Sequence, residues 1–71
     1  MQGVRVEIDK NTFFIDVICD CGKNGLIDEE TRNRSFKHEM KNPNETKVLI
    51  CECGRKYSVK VSKNHVYVIN F

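Results

Sequence analysis

The chain has 71 residues, 31% of them charged, a formal net charge of +2 and four cysteines. That length allows one domain, residues 1–71, with a small core, a size at which burial alone is marginal and cross-links commonly supply the remainder. The opening run Met1 to Glu7 holds no apolar stretch of signal-peptide length and eighteen apolar residues occur together nowhere, which excludes a spanning helix and gives the expectation of an intracellular, cytoplasmic chain without membrane contact.

Residues 4–8, Val-Arg-Val-Glu-Ile, alternate apolar and charged, as a half-buried strand does, with Val4, Val6 and Ile8 facing inward. Asp9-Lys10-Asn11 supplies turn chemistry, and Thr12 to Ile18 resumes with β-branched and aromatic residues that run into Cys19. On that strand Phe13, Ile15 and Val17 point inward, leaving Phe14 and Asp16 outward, under the long loop or as a patch for a protein partner.

Lys23 to Glu45 is mostly polar, with Leu26, Ile27, Phe36 and Met40 as its available anchors. Asp28-Glu29-Glu30 suits the first turn of a short helix with Phe36 and Met40 stacked four residues apart, but Asn33, Ser35 and a polar face make a mobile loop an equal alternative. Its length and charge make Arg32, Arg34, Phe36, Lys37 and Met40 the candidate partner-binding loop. Asn42-Pro43-Asn44 marks a turn, and Thr46 to Cys51 reads as a strand with Val48 and Ile50 inward and Leu49 outward. Tyr57 to Val61 alternates again, Ser62-Lys63-Asn64 turns, and His65 to Ile69 is a last strand. The expectation is an all-β chain, a small antiparallel sheet of about five short strands. The first and last hairpins align without a gap from Val6 and from Val59, a likeness that any two short hairpins with Lys-Asn turns share.

All four cysteines belong to a doubled signature, Cys19-Asp20-Cys21-Gly22 and Cys51-Glu52-Cys53-Gly54. Thiols separated by one residue share a face of extended backbone, so each pair supplies half a tetrahedron, and the glycine lets the chain turn with positive φ. Two local pairs making one four-thiolate set is the pattern of a structural Zn²⁺ site, one ion per chain, with Cys19, Cys21, Cys51 and Cys53 as ligands. Four thiolates with one Zn²⁺ bring the whole chain close to neutral. What remains is asymmetry: from residue 46 onward five bases face the one acid Glu52, a net +4, whereas residues 1–45 hold seven bases and nine acids, a net −2.

With these knuckles the chain resembles the zinc-ribbon group over Phe13 to Lys23 and Thr46 to Val61. The resemblance implies that the four cysteines are ligands, that Gly22 and Gly54 are knuckle glycines, and that the chain serves as a module of the kind found in transcription, translation or adaptor proteins. It departs from the usual ribbon in having one residue, not two, between the paired cysteines.

Iron in the same four-thiolate site and a redox Cys-x-Cys pair are the competing readings. His38 and His65 read as a loop and a surface histidine, since four thiols already close the shell. Asp20 and Glu52 point away from the metal face and read as solvated countercharges. No nucleophile elbow, phosphate loop or catalytic triad occurs, and no small-molecule substrate suggests itself, so the expectation is a binding module and not an enzyme. Arg55, Lys56, Lys60 and Lys63, beside Tyr57 and Tyr67, are the candidate nucleic-acid contacts, although Tyr57 shares its face with Val59 and Val61 and so reads as core. A protein adaptor is the leading function, a nucleic-acid-binding ribbon the alternative and a thiol redox protein the third. Size alone adds the idea of a phage or mobile-element modulator.

Overall fold

The computed structural model describes residues 1–41 and 44–70, and every regular element in it is a β-strand. The strands are β1 (Gly3–Asp9), β2 (Thr12–Ile18), β3 (Ile27–Asp28), β4 (His38–Lys41), β5 (Glu45–Ile50), β6 (Lys56–Ser62) and β7 (His65–Asn70). They form two antiparallel sheets, a three-stranded one in the order β1-β2-β4 and a four-stranded one in the order β3-β5-β6-β7. The five strands expected from alternation are all present. No helix occurs among the described residues, so none is long and apolar enough to cross a membrane.

The correction lies between the knuckles. Where a short helix or an irregular loop was expected, Ile27–Asp28 pairs with Leu49 and Ile50, and His38–Lys41 pairs with Thr12 to Ile15. Four-residue β4 is too short for its alternation, His38 and Met40 in and Glu39 and Lys41 out, to stand out against its neighbours. Helix initiation at Asp28 loses to a turn, because the Asp28 carboxylate accepts the N–H groups of Glu30 (2.8 Å) and Thr31 (3.4 Å). Arg32 then adopts a left-handed φ of 64°. The expected turn at Asn42-Pro43 lies outside the described residues; Asn44, next to it, has φ 64°.

The core forms between the sheets from Phe13, Ile15, Val17 and Met40 on one side and Leu49, Tyr57, Val59 and Val61 on the other. Leu49 is fully buried while Val48 and Ile50 are half-buried, the inverse of the expected facing. Register explains it: Leu49 lies opposite Tyr57 and Lys47 opposite Val59, so β5 turns its odd-numbered residues inward, ending in Cys51. Val6 and Ile8 lie opposite Ile15 and Phe13, on the inward face as expected, but β1 is an edge strand and the core reaches only to Val4, leaving Ile8 63% exposed. Asp16, expected on the outer side, is buried where residues 24–25 fold over it: Asn24 Nδ2 and the Gly25 N–H both donate to its carboxylate at 3.0 Å. His38, expected in a loop, is a buried strand residue whose Nε2 stands 2.8 Å from the Leu26 carbonyl.

The outer hairpins pair in equivalent register, Val6 with Ile15 and Val59 with Val68. The knuckles correspond by a different offset, Cys19 to Cys51, so no single duplication generates both likenesses.

Candidate metal centre

The inward row of β2, Phe13, Ile15 and Val17, continues without a break to Cys19, and the inward row of β5 continues from Leu49 to Cys51. The first sulfur of each knuckle is thus delivered by the same parity that builds the core. Both knuckles then close in the same way. The Cys19 N–H donates to the Lys23 carbonyl (2.8 Å) and the Gly22 N–H to the Cys19 carbonyl (2.9 Å); the Cys51 N–H donates to Arg55 (2.9 Å) and the Gly54 N–H to Cys51 (2.9 Å). Gly22 and Gly54 stand at φ 91° and 96°, a region in which a side chain is strained, as the sequence spacing requires.

The result is a cluster in which the four Sγ atoms lie within 4.8 Å of one another. Cys19 and Cys53 approach to 3.5 Å, and so do Cys21 and Cys51, each contact crossing from one knuckle to the other. Four sulfurs about 2.3 Å from a common ion would stand roughly 3.8 Å apart, so this donor set fits a tetrahedral metal with little adjustment. Cys19 and Cys51 are buried, Cys21 and Cys53 exposed, and neither histidine joins the group.

The surroundings favour thiolate unevenly. Burial pushes the Cys51 thiol up to about 12. The backbone N–H and the guanidinium of Arg55 bring Cys53 down to about 6, with Arg55 Nη1 standing 3.5 Å from the sulfur. At Cys19 burial raises the thiol, but the Tyr57 hydroxyl and the Cys21 N–H outweigh it and the net direction is downward. Tyr57 is fully buried: its hydroxyl donates to Cys19 Sγ (3.3 Å) and accepts the Asp20 N–H (3.0 Å). Burial and the bond to Cys19 raise its own pKa, which keeps the hydroxyl protonated and a donor.

Tyr57 is core, as its alternation implies, and is also the support of a ligand, which the sequence reading missed. The available signal was a polar-tipped ring in an otherwise aliphatic inward row, since a buried hydroxyl requires a partner. The remaining candidates scatter. Glu52 pairs with Lys23 (3.3 Å) and with Arg34, and Asp20 with the Met1 amino group (2.7 Å), so both carboxylates are countercharges away from the sulfurs. Lys56 pairs with Glu29 (3.2 Å) and Lys37 with Glu7 (3.0 Å). Lys60 and Lys63 are exposed, with Tyr67, 49% exposed, directly opposite Lys60. Of the loop residues Met40 is buried in the core, whereas Arg32, Arg34 and Phe36 are exposed. The ring of Phe36 rests on Gly25, beside an open cleft of about 460 Å³ that runs along the first knuckle to Glu52.

Comparison with protein families, curated proteins and solved structures returns no match for this chain. The centre is therefore described by its own geometry, a cluster of four cysteines arranged to hold a metal ion.

Proposed function

We propose that this chain is a zinc-binding module of zinc-ribbon type whose single Zn²⁺ is structural and whose role is to bind a protein partner. The observation that carries the reading is the convergence of four thiol sulfurs within 4.8 Å from two matching knuckles. Zinc is favoured over iron because a closed four-cysteine shell in a small domain is its commonest structural setting. A closed shell leaves no position for an activated water, and the nearby carboxylates are engaged in ion pairs, which supports binding over catalysis. A protein partner is favoured by Phe36, an aromatic side chain 57% exposed and followed by Lys37, with Arg34 on the same cleft. Aromatic and arginine side chains are the types that carry interface energy. Metal content on purified protein tests the first half, with one zinc per chain expected. Affinity capture with the wild type and Phe36→Ala in parallel tests the second: a protein retained equally by both would place the contact elsewhere.

One observation favours nucleic acid as a second reading, the exposed Tyr67 ring flanked by Lys60 with Lys63 at the adjoining turn. Tyr57 is withdrawn from it by burial, and Lys56 by its ion pair. Binding to a single-stranded oligonucleotide should then weaken steeply with salt, the log-log slope falling by roughly 0.7 to 0.9 for each lysine removed. No binding at low salt removes this reading.

A further inference from the structure

The four-stranded sheet ends on β7, and among the described residues nothing pairs with the outer side of that strand. At the β1 edge of the other sheet the outer side likewise has no partner among the described residues, but β1 carries Arg5, Glu7 and Asp9, the alternating charges with which natural edges resist strand addition. β7 reads His-Val-Tyr-Val-Ile-Asn, six residues with no lysine, no acid and no proline. Ile69 is 61% and Tyr67 49% exposed, and a shallow groove of about 590 Å³ runs beside them with Val66 and Val68 half-buried on its other side.

The hairpin fixes which backbone groups are free. Ser62 and His65 flank a two-residue turn in which Lys63 and Asn64 both have positive φ (51° and 64°). In such a turn the flanking pair exchanges both backbone hydrogen bonds, so residues 65, 67 and 69 bond to β6 while 66, 68 and 70 direct their N–H and C=O outward. The edge therefore asks for an extended strand, and its side chains state which one.

We propose that β7 is a self-pairing edge through which two copies of this chain join antiparallel about a twofold axis at Tyr67. The two four-stranded sheets become one continuous sheet. In that register Tyr67 meets Tyr67 of the second copy, Val66 meets Val68 on the inward face, and His65 meets Ile69 on the outward face. Tyr67 meets its own copy at the axis, valine meets valine on the inward face, His65 rests against the apolar Ile69 on the outward face and no charge is opposed, which is the self-complementarity a twofold interface requires. Lys60 is the nearest base, and it stays three strand spacings, about 14 Å, from its counterpart, beyond the roughly 8 Å over which salt leaves exposed charges felt. Six residues a side is a small interface, so the association is of micromolar rather than nanomolar strength.

Sedimentation equilibrium of the metal-loaded protein from about 5 to 500 µM tests the proposal, with a monomer–dimer transition expected inside that range. Ile69→Lys, at an exposed position outside the core, should weaken dimerisation about tenfold or more, with metal content and amide dispersion unchanged. A second measurement needs no variant: the amides of Val66 and Val68 should exchange more slowly as the wild-type concentration rises, while those of Tyr67 and Ile69, already bonded to β6, should not respond. A wild type that stays monomeric throughout overturns the proposal, as does a dimer indifferent to Ile69→Lys or one that leaves Val66 and Val68 unprotected.

Discussion

The hydroxyl of Tyr57 donates to Cys19 Sγ and accepts the Asp20 N–H, so Tyr57→Phe removes a donor from a ligand and an acceptor from a neighbouring amide in one step. Supporting partners of metal ligands typically contribute ten- to a hundredfold in affinity, and we expect a loss of about tenfold in a competition titration against a chromophoric chelator, with the fold retained. An unchanged affinity would reduce Tyr57 to a packing residue. Arg55 acts from the exposed side. Cys53, brought from its ordinary value of 9.0 to about 6, is an acid whose folded-state value is depressed. Its contribution is therefore complete above about 9 and is lost as pH falls through about 6. A proton and the metal compete for the same sulfur, so Arg55→Ala should raise the pH at which acid releases the metal. The largest single cause of the shift is the Arg55 backbone N–H, which alanine keeps, so the midpoint should move only partway. A midpoint that stays put or falls would show the guanidinium to be a bystander.

The segment between the knuckles is held by small devices. Gly25 has φ 65°, and a Cβ there would stand 2.5 Å from Cε1 of Phe36. Gly25→Ala should cost about 1–2 kcal/mol from backbone strain alone, read by denaturation of the metal-loaded protein, and Phe36 must leave its seat. In the double variant with Phe36→Ala the steric part disappears and only the strain remains. Amide exchange should divide the segment: Asp28, Glu29 and Arg32 donate to backbone carbonyls and should exchange slowly, whereas Lys37, whose amide donates to the Ser35 hydroxyl at the surface, should exchange fast. Uniformly slow exchange from residue 28 to 41 would remove the case for an adaptable binding loop. The long strands and both knuckles were legible because period-two alternation and the Cys-x-Cys-Gly spacing are local signals. β3, two residues long, and β4 were not, because they exist through their partners Leu49, Ile50 and residues 12–15. Asp16 and His38 look like surface residues until the loop closes over them. The facing of β5 was misread from Val48 and Ile50, although Cys51, whose sulfur must turn inward, already fixed the parity of Leu49.

Across the whole molecule the first knuckle continues from β2 in one sheet and the second caps the β5–β6 hairpin of the other, so an ion held by all four sulfurs ties the two sheets together. In a chain of 71 residues such a tie would supply a large share of the stability, on the order of 10 kcal/mol if the ion is a structural zinc of the kind found in small domains. Removing the metal with a strong chelator, or making Cys21→Ser, should collapse the dispersion of the amide spectrum; a fully dispersed spectrum without metal would refute this. The shared parity of core and ligands also sets which changes of length this chain can survive. Deleting one residue between Phe13 and Cys19, or between Leu49 and Cys51, would rotate one side of the junction onto the opposite face, so core packing and metal capture could not both be kept. The exposed run from Glu30 to Asn33 bears no such constraint, and an added residue there would alter only a surface turn. Variation in length should therefore collect in that turn, and lineages of this sequence should hold the spacing from Phe13 to Gly22 and from Leu49 to Gly54 fixed even where the side chains between have drifted.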